Sequence, residues 1–548
     1  MQKNEVYEME ITGMTEEGDG VGRVDGMAVF VPYTIPGEMV RAVIVKVKKS
    51  YAYGRLLEVL HPSLHRTKAA CPYFYQCGGC QLWHMDLEAE LSYKRQKVAD
   101  CLSRIAGLDI VPEEVVCTRQ TTRYRNKSQY PVTPDGIGLY RRNSHTVIPM
   151  EDCMIQGEHD AAVIRMIRTW MERYRIAPYD EQTDSGFLRH IYIREGETGM
   201  LLTLVTRGCS FPERDALICA AEQLGFPLVG IVQNVNPKRT NVVLGSENHV
   251  LWGKGYLTDS IGKVQFHISP LSFYQVNRFA TRTLYEIAAG LAKLTKDETL
   301  WDIYCGIGTI GLFMAKKAKA VVGIETCEAA VENAKENARL NGIANAKYYC
   351  GKAEAVAPRL AEEGEAADVV ILDPPRKGCD EKLLETVARV EPKRIVYISC
   401  MPSTLARDLK SLNAKGYEVQ KAVPVNMFPR CSHVETVCLM SHKSPDSHIN
   451  VTVEFGEGEG KVPLDKIVER AKQHQPAPKA TYKLIQEYVE MKYGFRVHTA
   501  YIAEIKRELG LPMYDAPNAA EGLKQTRKHP TQEKVNAIKD ALNYYNLI

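Results

Sequence analysis

Two residues in the second half of the chain have the types and positions that covalent catalysis requires. Cys400 follows the apolar stretch 394–399 and precedes a helix-like stretch, 401–408. A thiol at the carboxyl end of a strand faces the ligand crevice of an open α/β sheet, and a following helix N-terminus favours the thiolate. Glu435 interrupts another apolar run, which continues through Leu439. Because a carboxylate in such a run is costly unless it faces a cleft, we interpret Cys400 as a nucleophile and Glu435 as a general base.

A glycine-containing loop predicts a site for an adenosine cofactor. The segment 302–309 follows a predicted strand and opens a predicted helix, and Glu325 ends the next predicted strand. Glycines allow the backbone to approach a ligand, and a carboxylate at the second strand end binds ribose hydroxyls. This arrangement suits either NAD or S-adenosylmethionine, and the spacing of Gly306, Gly308 and Gly311 also fits the dinucleotide pattern. The loop alone therefore does not choose between the two cofactors.

The sequence Asp-Pro-Pro-Arg at residues 373–376 indicates methyl transfer. It follows the apolar run 369–372 and resembles the Asp-Pro-Pro element of methyltransferases, in which this element lies beside the methyl donor and the target base. Enzymes that methylate exocyclic amines usually have an aromatic residue where Arg376 stands. Its absence favours carbon as the methyl acceptor and S-adenosylmethionine as the donor.

A uracil carbon needs both a thiol and a base for this chemistry. The C5 atom is too weak a nucleophile to take a methyl group from a sulfonium, so a thiolate must first add to C6 and create an enolate. A base then removes the C5 proton, and elimination releases the thiol. Cys379 is a second candidate thiol, but DNA cytosine-5 methyltransferases carry the nucleophile directly after the proline, where Arg376 stands. We interpret His433, two residues before Glu435, as a structural histidine, with a role beside Glu435 as the alternative.

Four cysteines in the first third of the chain have the spacing of metal ligands. Cys71, Cys77 and Cys80 form a C-x5-C-x2-C pattern, and Cys153 is the best distant fourth ligand. Four thiols suit either a [4Fe-4S] cluster or tetrahedral zinc, and spacing alone does not choose between them. The radical S-adenosylmethionine motif leaves one iron open, whereas four thiols leave none. A structural or RNA-positioning cluster is therefore favoured over radical chemistry.

The composition is that of an ordinary globular protein. The 548 residues are 45% hydrophobic and 25% charged, which excludes global disorder, collagen and coiled-coil rods. At roughly 150 residues per domain, three or four domains are expected. No apolar run approaches the roughly 18 residues that cross a bilayer, and the first residues hold no apolar leader, so we expect a cytoplasmic protein without a membrane partner. The 15 cysteines then argue against a disulfide framework, and the net charge of +3 indicates no particular partner.

Residues 1–62 predict a small β-barrel, because the alternating run 43–49 and several glycine turns are typical of short strands. The stretch 41–68, which begins inside the predicted barrel and runs past its end, contains seven basic residues and one acidic residue, Glu58. They are Arg41, Lys46, Lys48, Lys49, Arg55, Arg66 and Lys68. With Tyr51 and Tyr53 between them, this composition favours single-stranded nucleic acid, and a merely soluble barrel face is the alternative.

A second basic patch indicates that the anionic partner is extended. It comprises Arg119, Arg123, Arg125, Lys127, Arg141 and Arg142, with Asp135 as the acidic exception. Each phosphate that such residues neutralise steepens the salt dependence of binding.

Three further domains are predicted beyond the barrel. Residues 63–261 form a central domain around the cysteines, and residues 262–442 form a doubly wound α/β domain, because strands alternate with helical stretches. Its candidate strands are 299–304, 320–324, 369–372 and 394–399. Residues 450–548 form a small helical extension without an assigned role. Its predicted features are linker breaks at Gly456, Gly458, Gly460, Pro476 and Pro478, and two helices that include 482–489 and 501–509 and end at Gly494 and Gly510.

Together these motifs resemble the 23S rRNA (uracil-5-)-methyltransferase family over about residues 5–442. The barrel resembles the TRAM RNA-binding domain, and the other motifs follow in the family's order. They are the cysteine motif through Cys80 and the segments 187–190, 272–277, 302–309, 373–378, 399–400 and 427–435. The resemblance implies a multi-domain fold: a TRAM or OB-like barrel, a central α+β iron-sulfur domain, a Rossmann-like class I methyltransferase domain and the helical extension.

The resemblance also implies the roles of individual residues. Cys400 is the implied nucleophile and Glu435 the implied base. The implied cluster is [4Fe-4S] on Cys71, Cys77, Cys80 and Cys153, and the implied S-adenosylmethionine contacts are Gln275, Tyr304, Glu325 and Asp373, to which the glycine loop adds Gly306. The expected substrate is a uridine flipped out of structured 23S rRNA by an enzyme that acts as a monomer.

Four positions depart from the family's usual residues, and three other functions remain open. Asn426 replaces Asp, Cys431 and Ser432 replace the commoner Thr-Ala, and Met401 replaces Asn after the nucleophile. These changes bear on contacts with the target base. The alternatives are a tRNA uridine-5 methyltransferase, an RNA-binding protein without activity and a nicotinamide-dependent oxidoreductase.

Overall fold

The computed structural model describes residues 1–443, 482–509, 511 and 530–545. The chain divides into two compact units, Met1–Asp446 and Ser447–Ile548. Within the described residues, no helix combines the length and apolar character that crossing a bilayer requires. The predicted linker glycines and prolines and the predicted cap at Gly510 lie outside the described residues.

The first unit begins with a closed five-stranded barrel. Its strands are β1 (Val6–Met14), β2 (Gly20–Val24), β3 (Met27–Val31), β4 (Met39–Val47) and β5 (Tyr51–His61). They follow the order β1-β2-β3-β5-β4, with β4 also paired to β1. Alternate residues, among them Ile11, Val29 and Ile44, fill the interior. The prediction of a small N-terminal barrel is confirmed.

A central region of helices and a seven-stranded sheet follows the barrel. Its helices are α1 (Leu87–Cys101), α2 (Asp160–Tyr174) and α3 (Arg214–Glu222). Its strands are β6 (Lys127–Thr133), β7 (Gly136–Tyr140), β8 (Val147–Pro149), β9 (Leu188–Gly196), β10 (Gly199–Thr206), β11 (Leu228–Val235) and β12 (Glu247–Gly253), in the order β12-β11-β10-β9-β6-β7-β8. Helix α1 begins where the Asp86 carboxylate accepts the N–H of Ala89 at 2.8 Å, and it ends in a π-helical turn, Leu102–Ala106.

A two-stranded hairpin leads into a second seven-stranded sheet, called here the doubly wound sheet. The hairpin strands are β13 (Leu257–Ile261) and β14 (Val264–Ile268), so the predicted boundary at 261/262 falls in its turn. The sheet strands are β15 (Thr299–Ile303), β16 (Ala320–Glu325), β17 (Ala346–Cys350), β18 (Val369–Leu372), β19 (Arg394–Ser399), β20 (Tyr417–Val425) and β21 (Glu435–His442). Their order is β17-β16-β15-β18-β19-β21-β20.

Helices cover both faces of the doubly wound sheet, as expected for mainly parallel strands. They are α4 (Arg278–Ala292), α5 (Thr309–Met314), α6 (Glu328–Leu340), α7 (Ala353–Glu362), α8 (Glu381–Val390) and α9 (Pro402–Ala414). Strands β15 to β19 are parallel, whereas β21 runs antiparallel between β19 and β20. The four candidate strands are confirmed to within one residue.

Helix α1 belongs to the core of the doubly wound sheet although it precedes that sheet by some 200 residues. Val98 and Leu102 are fully buried in the same cluster as Trp301, Tyr397 and Tyr417. Burial of such side chains contributes about 1.5–3 kcal/mol each. The first unit therefore packs as one body across the predicted domain boundaries.

The second unit contains three described helices, α10 (Tyr482–Tyr493), α11 (Thr499–Glu508) and α12 (Gln532–Tyr544). Ile485, Val489, Ile502 and Ile538 are fully buried in its core. Gly494 follows α10 with φ 75°, which confirms the predicted glycine cap.

Candidate active site

The carboxyl ends of neighbouring parallel strands meet at one edge of the doubly wound sheet and form the floor of a large cleft. The cleft has a volume of about 1630 Å³. Three regions of the first unit line it: the barrel contributes Glu17, the central region contributes Arg125 and Lys127, and the doubly wound sheet contributes Cys400 and Glu435. This is where ligands bind in open α/β sheets.

Cys400 and Glu435 are adjacent because two antiparallel strands place them together. Ser399, the last residue of β19, pairs with Thr436 of β21. The next residues toward the cleft are Cys400 and Glu435, and both side chains line it. Burial and the nearby Glu435 raise the pKa of the Cys400 thiol to about 11. The thiol is therefore protonated at neutral pH until substrate or a base changes its surroundings.

Two carboxyl groups, of the buried Glu435 and the half-buried Asp373, face the same cleft. Burial raises the pKa of Glu435 to about 8, and Asp373 adds to that shift. Burial, with a contribution from Asp302, raises the pKa of Asp373 to about 7. Neither carboxyl has a hydrogen-bond partner among the described residues, although Glu435 is only 4% exposed. Buried carboxyls without partners are typical of groups that await a ligand or a proton.

Arg376 supplies positive charge to this group. Its guanidinium lowers the pKa of both Cys400 and Glu435, against the effect of burial. The N-terminal turns of α9 fix its loop, because the Thr404 hydroxyl donates to the Arg376 carbonyl at 3.1 Å and Arg407 donates to the Lys377 carbonyl at 2.9 Å. The helix that follows the thiol thus also positions the cation that lowers its pKa.

The glycine loop between β15 and α5 has the backbone that the sequence predicts. Tyr304 and Gly306 both have positive φ, 69° and 55°. No atom lies within 4 Å of the point where a Cβ of residue 306 would stand, so the space beside Gly306 is open. Glu325 ends β16, and its carboxylate accepts the N–H groups of Gly306 at 3.1 Å and Cys327 at 2.9 Å. Tyr304, Gly306 and Glu325 all line the cleft.

Gln275 is held at the cleft wall by backbone contacts on both sides. The Asn126 amide donates to the Gln275 carbonyl at 2.9 Å. Asn277 caps α4 by accepting the N–H of Ala280, and its amide also donates to the Met427 carbonyl at 3.0 Å. The predicted site residues Gln275, Tyr304, Gly306, Glu325, Asp373, Cys400 and Glu435 thus line one cleft.

The four predicted metal-ligand cysteines line the same cleft. Burial raises the pKa of Cys71, Cys77 and Cys153, and for Cys153 the pKa reaches about 12. Charges on Cys71 and Cys77 add to the shift at Cys153, so these thiols are near neighbours. Among the described residues, no three His, Cys, Asp or Glu side chains converge as they would on a single metal ion.

Ion pairs within the chain occupy part of both predicted basic patches. Arg41 binds Glu8 and Glu58, each at 2.7 Å, and Arg66 binds the buried Glu38. In the second patch, Arg123 binds Asp152 and Arg142 binds Asp19. These pairs form between distant segments, which the local composition could not reveal.

The remaining cations are exposed or face the cleft. On the barrel, Lys46 of β4 lies opposite Tyr53 of β5, and Tyr53 lies opposite Phe30 of β3. Tyr53 is 38% exposed, and its ring lies 5.8 Å from that of Phe30. In the central region, Arg125 and Lys127 line the cleft. Burial, together with the positive charge of Arg194, lowers the pKa of Lys127 to about 8.

The structure also places His433 and Cys379, the two alternative candidates. His433 precedes β21, which begins at Glu435, and it lines the cleft. Burial lowers the pKa of His433 to about 4. Cys379 is buried and hydrogen bonded to the Tyr397 hydroxyl at 3.5 Å.

A buried network that no sequence pattern predicted fixes the loop before Glu435. The Lys94 ammonium of α1 donates to Glu90 at 2.8 Å and to the Asn426 side-chain oxygen at 2.7 Å. The Asn426 amide donates back to Glu90 at 3.0 Å. An aspartate at 426, the family's usual residue, has no N–H for that bond.

Comparison with known proteins assigns the family. Residues 254–443 match the tRNA (uracil-5-)-methyltransferase family, and residues 2–57 match the TRAM domain. An uncharacterized RNA methyltransferase of Halalkalibacterium halodurans is 46% identical over 451 residues, which are 81% of this chain and 98% of that protein. The chain belongs to the RNA (uracil-5-)-methyltransferase family. An uncharacterized RNA methyltransferase of Clostridium tetani is 44% identical over 448 residues, 81% of this chain and 97% of that protein.

A solved structure agrees with this assignment. The tRNA (uracil-54, C5)-methyltransferase of Pyrococcus abyssi, in complex with S-adenosyl-L-homocysteine, has a TM-score of 0.66 and 27% identity. The match covers 79% of this chain and all of that chain. The predictions of a TRAM barrel, a class I methyltransferase fold and an S-adenosylmethionine-dependent RNA methyltransferase are confirmed. The methyltransferase is thus not a nicotinamide-dependent oxidoreductase.

Proposed function

We propose that the methyltransferase methylates C5 of a uridine in 23S rRNA through a covalent bond between Cys400 and C6. The placement of Cys400 beside Glu435 at the floor of the cleft carries this proposal. A nucleophile and a carboxyl group without other partners are the two groups that the reaction needs.

The side chains divide the reaction between them. The Cys400 sulfur bonds to C6 after its proton passes to solvent in the cleft, and Arg376 favours that loss because it stabilises the thiolate. C5 becomes nucleophilic and takes the methyl group. The Glu435 carboxylate then accepts the C5 proton, the C6–sulfur bond breaks and the thiolate leaves. The raised pKa of Glu435, about 8, suits a group that must hold and release a proton near neutral pH.

The cleft also suits S-adenosylmethionine, which supplies an electrophilic methyl group. Gly306 presents backbone without a side chain, and Glu325 places a carboxylate at the end of the second strand. Gln275, Tyr304 and Asp373 would complete the contacts. The half-buried Asp373 carboxyl, which has no hydrogen-bond partner among the described residues, fits a cationic donor.

The barrel and the central region would hold the RNA backbone. The outer barrel face carries a cation next to two aromatic rings, from Lys46, Tyr53 and Phe30. Such a surface suits unpaired nucleotides, because bases stack on the rings and the cation binds a phosphate. Arg125 and Lys127 line the cleft and suit the phosphates beside a flipped base. The enzyme would act where rRNA is made, in the cytoplasm.

The four cysteines would hold a [4Fe-4S] cluster. In such a cluster each cysteine binds a different iron atom, so the four sulfurs stay apart and do not converge on one point. Cys71, Cys80 and Cys153 pack around the same aromatic core of Phe74, Trp83 and Tyr124, which would exclude water from the cluster. The donor set and the apolar surroundings therefore fit, and the cluster would support the cleft wall.

A tRNA is the second candidate substrate, favoured by the likeness to the Pyrococcus abyssi enzyme. Methyl transfer from labelled S-adenosylmethionine to unmodified 23S rRNA and to unmodified tRNA separates the two. Label as 5-methyluridine in 23S rRNA, mapped by mass spectrometry, is the expected result. Label in tRNA alone would replace the rRNA proposal, and transfer to neither RNA would contradict both.

A further inference from the structure

A fifth cysteine lies within the cysteine site. Cys431 is only 4% exposed and packs in the same cluster as Cys71, Cys80 and Cys153. It stands where the family commonly has a residue without a thiol. Neither its position, two residues before His433, nor the C-x5-C-x2-C pattern predicts that it lies beside Cys80.

The contacts of Cys431 direct its sulfur toward the Cys80 end of the site. The Cys431 thiol donates to the carbonyl of Gly79, the residue before Cys80, at 3.2 Å. Its sulfur lies 4.0 Å from the Tyr124 hydroxyl.

Backbone hydrogen bonds hold the two loops together. The N–H groups of Gln81 and Leu82 both donate to the Arg430 carbonyl at 3.0 Å. The N–H of Ser432 donates to the Gln81 side-chain oxygen at 3.3 Å. Cys431 therefore stays beside Cys80 because residues on both sides of it are bound to the cysteine loop.

We propose that Cys431 is a reserve ligand of the iron-sulfur site, able to bind the iron that Cys80 otherwise binds. The inference rests on the cluster proposed above. In the exchange, the iron–sulfur bond to Cys80 breaks and one to Cys431 forms, while the proton of the incoming thiol passes to the departing thiolate. No electron is gained or lost, and the cluster keeps four thiolates.

The asymmetry of the site provides a matched comparison. A serine at position 80 leaves a neighbouring thiol that can replace the lost ligand. A serine at position 71 does not, because the hydrogen bonds of residues 430–432 are with residues 79–82, on the Cys80 side of the cysteine motif. The experiment compares Cys80→Ser, Cys71→Ser, Cys431→Ser and Cys80→Ser/Cys431→Ser after anaerobic reconstitution of the full chain with ferrous iron and sulfide.

Iron and sulfide content and the EPR spectrum of the reduced protein are the readouts. We expect the wild type and Cys431→Ser to hold four iron atoms per chain, and Cys80→Ser to hold four with a shifted spectrum. Cys71→Ser and the double variant should lose the intact cluster. Loss of the cluster in Cys80→Ser to the same extent as in Cys71→Ser would overturn the inference. A wild type that takes up no iron would instead refute the cluster itself.

A second measurement leaves Cys80 in place and so does not depend on the folding of its variants. Iron release to a chelator should be several-fold faster from Cys431→Ser than from the wild type, because a dissociated Cys80 then has no replacement. Cys209→Ser, which removes an exposed thiol, is the control. Equal release rates from Cys431→Ser and the wild type would overturn the inference. Binding of S-adenosylmethionine confirms that each variant is folded.

Discussion

The Glu435 carboxyl raises the pKa of the Cys400 thiol beside it, although the reaction needs that thiol deprotonated. The two residues are neighbours because β21 begins where β19 ends. Each protonation state of Glu435 therefore suits a different step: the neutral acid favours thiolate formation, and after its proton passes to solvent the carboxylate can accept the C5 proton.

Cys400→Ala should reduce methyl transfer by more than about 10⁴-fold, as loss of a catalytic nucleophile does in other enzymes. Binding of RNA and of S-adenosylmethionine should remain, because the thiol is one small side chain in a large cleft. Transfer of labelled methyl groups and equilibrium binding measure the two properties. Cys379→Ala, which removes the second candidate thiol, should stay active, and an active Cys400→Ala enzyme would contradict the mechanism.

Glu435→Gln should trap the covalent RNA adduct, because the base for the C5 proton is missing. It should also lower the pKa of Cys400, since a neighbouring negative charge is removed. At about pH 9, above the Glu435 pKa of about 8, we expect alkylation of Cys400 by iodoacetamide to be roughly tenfold faster than in the wild type, within the range that one nearby charge produces. Denaturing gels detect the adduct. An absent adduct together with an unchanged alkylation rate would argue against the role of Glu435.

The preference for S-adenosylmethionine over S-adenosylhomocysteine should increase with pH. Asp373 and Glu435, with pKa values of about 7 and about 8, are neutral in acid and become anionic as pH rises. The methyl donor is a cation at sulfur and the product is not. We expect the ratio of the two dissociation constants to change about tenfold, equivalent to roughly 1.4 kcal/mol. Calorimetry across this pH range measures it, and Asp373→Asn should flatten the curve.

Lys46→Ala should weaken RNA binding and reduce its salt dependence. Each cation that neutralises a phosphate contributes roughly 0.7 to 0.9 to the logarithmic slope. Arg41→Ala changes the net charge equally, but Arg41 is already bound to Glu8 and Glu58, so its slope should stay that of the wild type. Binding titrations at several salt concentrations compare the two. Equal slopes for both variants would show that the outer barrel face does not contact RNA.

Local sequence patterns predicted the strands and the residues at their ends well. The candidate strands are short runs rich in β-branched residues, and the residues directly after them, Asp373 and Cys400, must face the cleft once the strands are parallel. The position of Glu435 followed from the same reasoning, because one acidic residue in a buried strand needs a cleft.

Contacts between distant segments were not predictable in this way. Arg41 and Arg66 count as basic residues in any local window, but Glu8 and Glu38 bind them across the barrel. Cys431 carries no signal of its position beside Cys80, because that position depends on how two loops meet. The same holds for Lys94, whose charge would normally indicate an exposed helix face but which is fully buried.

The buried contact between Lys94 and Asn426 also limits how this enzyme can be divided or recombined. Helix α1 supplies a cation and core side chains to a sheet whose own strands begin at Thr299. A fragment that begins at the predicted boundary of 262 would lack α1. Its sheet would expose the apolar surface that α1 covers, and Asn426 would lose its hydrogen bonds with Glu90 and Lys94. A chimaera that exchanges the doubly wound sheet between two relatives would therefore have to exchange α1 with it.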